Sequence, residues 1–218
     1  GLLIGLLFGL FNGFLVAYTK TPPFIATLGS MVIASGLALM YTDSFPVSML
    51  NTTFKHIGQG KIGIIPYVVI VFIIIVIIAW ILLNKTRFGK SIYAIGGNED
   101  AARYAGIRVK KNTCLIYVWS GVLAGLAGVL ITARSGSGIA TLGDGYELDA
   151  IAAATVGGVS QTGGIGTIVG AVVGIFILVV LNNGLLLLGV SPYLQQVIKG
   201  AIIIGAVVVD MRKTRKNN

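Results

Sequence analysis

A single cysteine, Cys114, and a single histidine, His56, close off several chemistries at once. One thiol forms no internal disulfide, and neither residue has the neighbours that a metal site requires. Charge is scarce too: Asp, Glu, Lys and Arg make up 11% of the 218 residues, and the 7 carboxylates are scattered rather than paired for acid/base work. HExxH and GxSxG patterns are missing. Gly89-Lys90-Ser91 looks like the end of a phosphate-binding loop, but that motif needs a glycine where this chain has Asn84. No catalytic residue, metal ligand or cofactor is therefore assigned to this chain, and it reads as a non-enzyme.

What the chain has instead is oil. It is 56% hydrophobic with a mean hydropathy of +0.93. A soluble domain of this size cannot hide that much apolar surface, so the fold class is all-α, a polytopic transmembrane helical bundle. The net charge of +9 raises the question of nucleic acid. The basic residues, however, cluster in loops beside apolar spans, which is the pattern of positive-inside orientation; nucleic acid is excluded as a partner. Gly1 opens abruptly inside an apolar run without a basic leader, so the start reads as a fragment lacking its upstream part rather than a signal peptide.

Gly1–Tyr18 is long enough for one span, with Gly1, Gly5, Gly9 and Gly13 on one helix face. Such small-xxx-small faces let backbones approach closely. Thr21-Pro22-Pro23 turns the chain into Phe24–Tyr41, whose packing face is Gly29, Ser30, Ser35 and Gly36. Thr42–Pro66 is polar and irregular, and Tyr67–Leu83 is an unbroken apolar span. Thr113–Ala133 is the next span, with Gly121, Ala124, Gly125 and Gly128 as its stripe. Asp149–Val159 is short, and either a short crossing or a re-entrant segment fits it; the short crossing is preferred. After the uncharged Gly157–Gly164 stretch come Thr167–Leu188, with Gly166, Gly170 and Gly174 spaced by four, and Tyr193–Val209.

The long polar interruption is Asn84–Asn112, which holds Lys85, Arg87, Lys90, Arg103, Arg108, Lys110 and Lys111. A short loop this basic stays cytoplasmic. Within it Gly96-Gly97 breaks the chain, Asn98 caps a helix, Glu99 and Asp100 meet the positive end of its dipole, and Gly106 ends it. With every apolar block crossing once, Lys20, this loop and the basic tail at 210–218 (Arg212, Lys213, Arg215, Lys216) are inside, while Lys55, Lys61 and Arg134 are outside. The expected bundle has six crossings, one of them the short Asp149–Val159, and making that segment re-entrant would move the tail outside, against the charge bias. The chain is then a single transmembrane domain over 1–218 with its C-terminus in the cytoplasm. Glu147, Asp149, Asn182, Asn183 and Gln195 are polar residues in or near hydrocarbon, where they face a bundle interior or a wet route. The bland alternatives are helix capping for Glu147 and Asp149, interhelical bonding for Asn182-Asn183, and snorkelling for Lys199.

Three ordered motifs, TRFGKSIYAIGGNEDAARYAGIRV, GYELDAIAAATVGGVSQTGGIGT and LNNGLLLLGVSPY, closely resemble permease subunits of bacterial ABC-type sugar importers. The likeness runs over essentially the whole chain and is nearest to the ribose permeases, within the group that also takes xylose, arabinose and galactose. It implies a permease of the inner (plasma) membrane that translocates a monosaccharide, with ribose expected. It further implies a cytoplasmic ATP-binding subunit that uses the ATP, a periplasmic or lipid-anchored sugar-binding protein, a second permease copy as homodimer, surrounding membrane lipids and missing upstream spans. The coupling helix would be Asn98–Ile107, with Asn98, Glu99, Asp100, Ala101, Ala102, Arg103, Gly106 and Ile107 contacting the ATPase. Asp100-Ala101-Ala102 with Gly106 is similar to the family's Glu-Ala-Ala…Gly signature, and the later Ile-x-Leu-Pro part has no match. The translocation path would take Glu147, Asp149, Asn182, Asn183 and Gln195. The alternative is a secondary transporter driven by an ion gradient, with Lys199 or Asp149 as the coupling residue.

Overall fold

Residues 1–48 and 50–216 are described in the computed structural model, the last helix by its backbone alone at 206, 209, 210 and 212–216. The basic side chains of the tail and residues 217–218 thus lie outside the described residues. The elements in order are α1 (Leu2–Thr19), α2 (Pro23–Thr42), α3 (Thr52–Gln59), the hairpin β1 (Lys61–Ile62) and β2 (Ile65–Pro66), α4 (Tyr67–Lys85), α5 (Arg87–Gly97), α6 (Glu99–Tyr104), α7 (Val109–Ser135), α8 (Tyr146–Val156), α9 (Ile168–Leu187) and α10 (Pro192–Lys216). Among the described residues, α1, α2, α4, α7 and α9 are each long and apolar enough to cross a membrane. The protein is an all-α polytopic membrane protein.

Its interior is the reverse of a soluble core. The buried apolar residues are Ala17, Ala26, Ala102, Val109, Ala133, Ala152, Ala153 and Leu178, mostly small. The large aliphatic and aromatic side chains point outward, as with Leu3, Phe24 and Val180. In lipid no hydrophobic effect drives helices together, so close backbone packing has to hold them and the bulky groups are left to the hydrocarbon.

The chain falls into two compact units, residues 1–81 with 106–143, and residues 82–105 with 144–218. In the first, α1 packs along α7. A Cβ on Gly5 would collide with the Gly121 carbonyl, one on Gly9 would lie 2.6 Å from the Tyr117 carbonyl oxygen, and one on Gly13 would lie 2.9 Å from that of Cys114. The four-residue spacing of glycines is therefore a helix–helix seam, as expected. Three glycines of the other expected faces find no partner: a Cβ on Gly29 or Gly36 of α2, or on Gly128 of α7, would meet nothing among the described residues. Spacing identifies a smooth face, and only a facing partner turns it into a seam. Ser30 of the α2 face is nevertheless buried.

Lys110 and Lys111 occupy the first turn of α7, against the helix dipole. The Lys110 ammonium is offset by lying 5.6 Å over the Tyr18 ring. In the polar 42–66 segment, Asn51 caps α3 by accepting from the Thr53 N–H. Val47 then pairs with Gly138 in an antiparallel bridge, and Gln59 donates to the Arg134 carbonyl at 3.1 Å.

In the second unit α8 lies on α9 through glycine. A Cβ on Gly174 would collide with the Ala153 carbonyl and come within 2.8 Å of the Gly157 nitrogen. Ala152, Ala153 and Leu178 form a small core with Ile202 and Ile203 of α10 against it. With its 11 residues α8 rises only about 16 Å, roughly half of a hydrocarbon core.

The α1–α7 seam makes the first prediction. Gly5→Val and Gly121→Val should each destabilise the purified protein by about 1–3 kcal/mol in detergent unfolding, through overpacking. Gly128→Ala should stay within about 0.5 kcal/mol. Equal losses at all three positions would mean that the seam is not where the helices meet.

Candidate functional site

The segment expected to be a loop with one short helix is almost wholly helical. Thr86 ends α4 and caps α5, its hydroxyl accepting from the Gly89 N–H at 3.2 Å. Gly89 sits where any Cβ would collide with Leu83, and the Ser91 hydroxyl donates to the Arg87 carbonyl at 2.9 Å. Gly89-Lys90-Ser91 is thus the tight start of a helix, which explains its glycine without a phosphate. Gly96-Gly97 does not break the chain before the next helix, as expected from the sequence, but forms the last turn of α5. An eleven-residue amphipathic helix was missed because its two C-terminal glycines were weighed as breakers.

Asn98 bends the chain and starts α6, its Oδ1 accepting from the Ala101 N–H at 2.9 Å. This is the predicted cap. The helix itself is shorter than Asn98–Ile107: it covers Glu99–Tyr104, and Gly106 closes it with φ +80°, a conformation that side chains disfavour. Arg103 bonds Glu99 at 2.7 Å and reaches Asp100 at 3.8 Å. Exposed pairs of this kind stabilise by only about 0.5 kcal/mol, so they order the surface more than they hold the fold. Ala102 is buried and Ile107 half-buried, while Glu99, Asp100, Ala101, Arg103 and Gly106 are exposed. Tyr104, absent from the sequence-based set, is 91% exposed. Its signal was its register, two residues past buried Ala102 and so on the opposite side of the helix.

α5 carries α6 and also rests on the connection from α8 to α9. The Tyr93 hydroxyl donates to the Gly166 carbonyl at 2.8 Å. A Cβ on Gly163 would lie 2.8 Å from the Gly96 carbonyl oxygen, and one on Gly164 2.8 Å from the Gly97 Cα. The connection folds on itself with Ser160 N–H donating to the Ile165 carbonyl at 2.9 Å, and Gly158, Gly163, Gly164 and Gly166 all have positive φ. The Gln161 amide donates to the Thr155 hydroxyl at 2.6 Å. Backbone-to-backbone docking accounts for the uncharged, glycine-rich stretch.

The polar residues expected along a solute route meet different fates. Asp149 does not cap α8, whose N-cap is Gly145; instead its Oδ2 accepts from the Lys199 ammonium at 3.0 Å, joining α8 to α10. Lys199 therefore meets a carboxylate rather than snorkelling alone to the interface. Gln195 donates to the Val190 carbonyl at 2.8 Å, securing the turn that starts its own helix. Asn182 has a buried Oδ1 with no hydrogen-bond partner among the described residues, while Asn183 and Glu147 are exposed. Asn12 of α1 is a second asparagine whose buried Oδ1 has no partner among the described residues, signalled by its isolation in an otherwise uncharged apolar run.

Residues 1–207 match the family described as branched-chain amino acid transport system / permease component. The chain is 46% identical over 217 residues to the galactose/methyl galactoside import permease protein of Escherichia coli strain K12, covering 96% of this chain and 65% of that protein. It is 47% identical over 205 residues to the ribose import permease protein of Bacillus subtilis strain 168, covering 93% of this chain and 64% of that one. The ribose import permease protein of Escherichia coli strain K12 is 44% identical over 216 residues, 97% of this chain and 67% of the relative. The chain thus spans about two thirds of the length of these relatives. No solved structure matches.

The ion pair makes the second prediction. Asp149→Asn and Lys199→Gln should each destabilise the protein more than the double variant implies, with a coupling of about 1–2 kcal/mol in a double-mutant cycle. Additive losses would show that the two groups do not hold α8 to α10.

Proposed function

The chain belongs to the family of branched-chain amino acid transport system permease components, and on that premise we propose that it is the membrane subunit of an ATP-driven monosaccharide importer. It performs no covalent chemistry. A separate cytoplasmic subunit binds and hydrolyses ATP, and a periplasmic or lipid-anchored protein delivers the sugar. A second permease copy completes the route across the inner membrane. The observation that carries this reading is α6: a short, side-chain-capped helix displayed between two apolar spans, with Asp100, Arg103 and Tyr104 exposed around one buried alanine. Its order before any partner arrives reduces the entropy lost on docking, and an exposed Tyr is the kind of anchor that dominates an interface.

Two contacts support an arrangement in which every apolar helix crosses once; with α1, α2, α4, α7, α8, α9 and α10 that makes seven crossings rather than the six expected from the sequence. Val47 pairs with Gly138, as required if the 43–66 and 136–145 segments share the outer side. Gly163 and Gly164 rest on α5, as required if the 157–167 connection shares the inner side with α6. On this arrangement α8 crosses with help from its flanking residues, and the C-terminus is cytoplasmic.

The cargo we favour is ribose, from the resemblance of the three motifs. Relatives named for galactose are as similar, so the two sugars are to be compared directly. The ion-gradient alternative rested on Asp149 or Lys199 as a coupling residue; their mutual pairing gives each a structural counter-ion and supports the ATP-driven reading instead.

Tyr104→Ala should weaken co-purification of the ATPase by roughly thirtyfold, equivalent to about 2 kcal/mol at an interface hot spot. Gly106→Val should cut uptake of labelled ribose while leaving the permease in the membrane, since its left-handed backbone penalises a β-branched side chain. Unchanged ATPase binding and unchanged uptake would defeat the docking role. Galactose accumulated faster than ribose in the same cells would reassign the cargo.

A further inference from the structure

Beyond docking, the structure points to how a displacement of α6 leaves the cytoplasmic surface. A helix that is pushed transmits motion only to what it touches without slack, and packed backbones have little slack. α6 is continuous with α5 through the Asn98 cap, and α5 touches the Gly157–Thr167 connection at two kinds of contact. One is the Tyr93 hydroxyl on the Gly166 carbonyl at 2.8 Å, a bond between residues 73 apart in sequence. The other is the backbone of Gly96 and Gly97 against Gly163 and Gly164, where no side chain intervenes.

The connection is not a loose tether. It runs directly from the last turn of α8 into the first turn of α9, and those helices are themselves locked by Gly157, Gly170 and Gly174. From α8 the Asp149–Lys199 bond leads to α10. The clamp's own Tyr93, Gly163 and Gly164 line a half-open hollow of about 270 Å³ together with Leu83, Ile92 and Ile165. The glycine contact at its edge has no side chain to take up slack.

We propose that Tyr93 and Gly96 are positioning residues for transport, clamping the Gly157–Thr167 connection to α5 so that movement of α6 is delivered to α8 and α9. This rests on the reading of α6 as the ATPase contact. The clamp touches neither sugar nor nucleotide. Its variants therefore change how much transport each ATP supports rather than the ability to hydrolyse ATP.

The test uses the complete importer, with permease, ATPase and sugar-binding protein reconstituted in liposomes, and measures ATP hydrolysis and sugar uptake on the same samples. Tyr93→Phe removes only the donor, and Gly96→Val inserts bulk into the backbone contact. The expected result is unchanged ATPase stoichiometry and hydrolysis, with sugar moved per ATP reduced by roughly two- to thirtyfold, the Gly96 variant being the more severe. If Gly96→Val fails to assemble, Tyr93→Phe, which keeps the ring, decides the matter alone. An unchanged ratio in Tyr93→Phe overturns the proposal. So does a parallel loss of hydrolysis and uptake, which is what a merely structural role would give. Failure of the underlying reading is recognised separately: Tyr104→Ala would then retain the ATPase fully, whatever the ratio in the clamp variants, and the clamp proposal would fall with it.

Discussion

Glycine backbones in van der Waals contact are the constraint on which this structure depends. In a bilayer the aliphatic side chains gain nothing by leaving lipid for protein, so dispersion between closely apposed backbones must supply the association. The same device recurs in each unit: Gly5 and Gly9 on α7, Gly157 on Gly170 and Gly174, Gly96 on Gly164. At each place a single Cβ would strike a backbone atom. Alanine fills most of the remaining interior, and the bulky residues are exposed. Such interfaces interlock few side chains, which suits helices that exchange between two packings.

Against that apolar background the polar segment between α4 and α7 is an organised handle. Thr86 and Asn98 cap successive helices with their own side chains, and Gly106 closes the second. The caps satisfy N–H groups that would otherwise need water or a partner, so α6 is formed within this chain alone. Asp149 and Lys199 give α8, a helix about half as long as a bilayer is thick, a charged tie to α10 that glycine packing alone would not supply. A lone charge in that position would be costly, and the pair offsets it.

Much of this was legible in the sequence, because the signals were strong ones. Long apolar runs marked α1, α2, α4, α7 and α9, and the Asn98 cap with Gly106 marked α6 to within three residues at its far end. What escaped reading was either relational or ambiguous. Gly128 and Gly36 lie on faces of small residues much as Gly5 and Gly121 do, yet nothing among the described residues faces them, since a small-residue face carries no information about the neighbour. α5 was hidden because Gly96 and Gly97 serve a close approach from Gly163 and Gly164, 67 residues away, and that approach has no local signature. Asp149 looked like a helix cap until its partner, fifty residues on, was brought beside it. Tyr93 and Tyr104 passed as ordinary aromatics for the same reason.

The central claim is that α6 is displayed on the cytoplasmic face as the contact for an energy-supplying subunit. Its most direct measurement is the sidedness of Glu99, which is exposed and outside the buried register of α6. A Glu99→Cys variant in a Cys114→Ser background, treated with a membrane-impermeant maleimide, should label in inverted vesicles and stay unlabelled in right-side-out ones. Labelling in right-side-out vesicles would place the handle outside the cell and contradict the account.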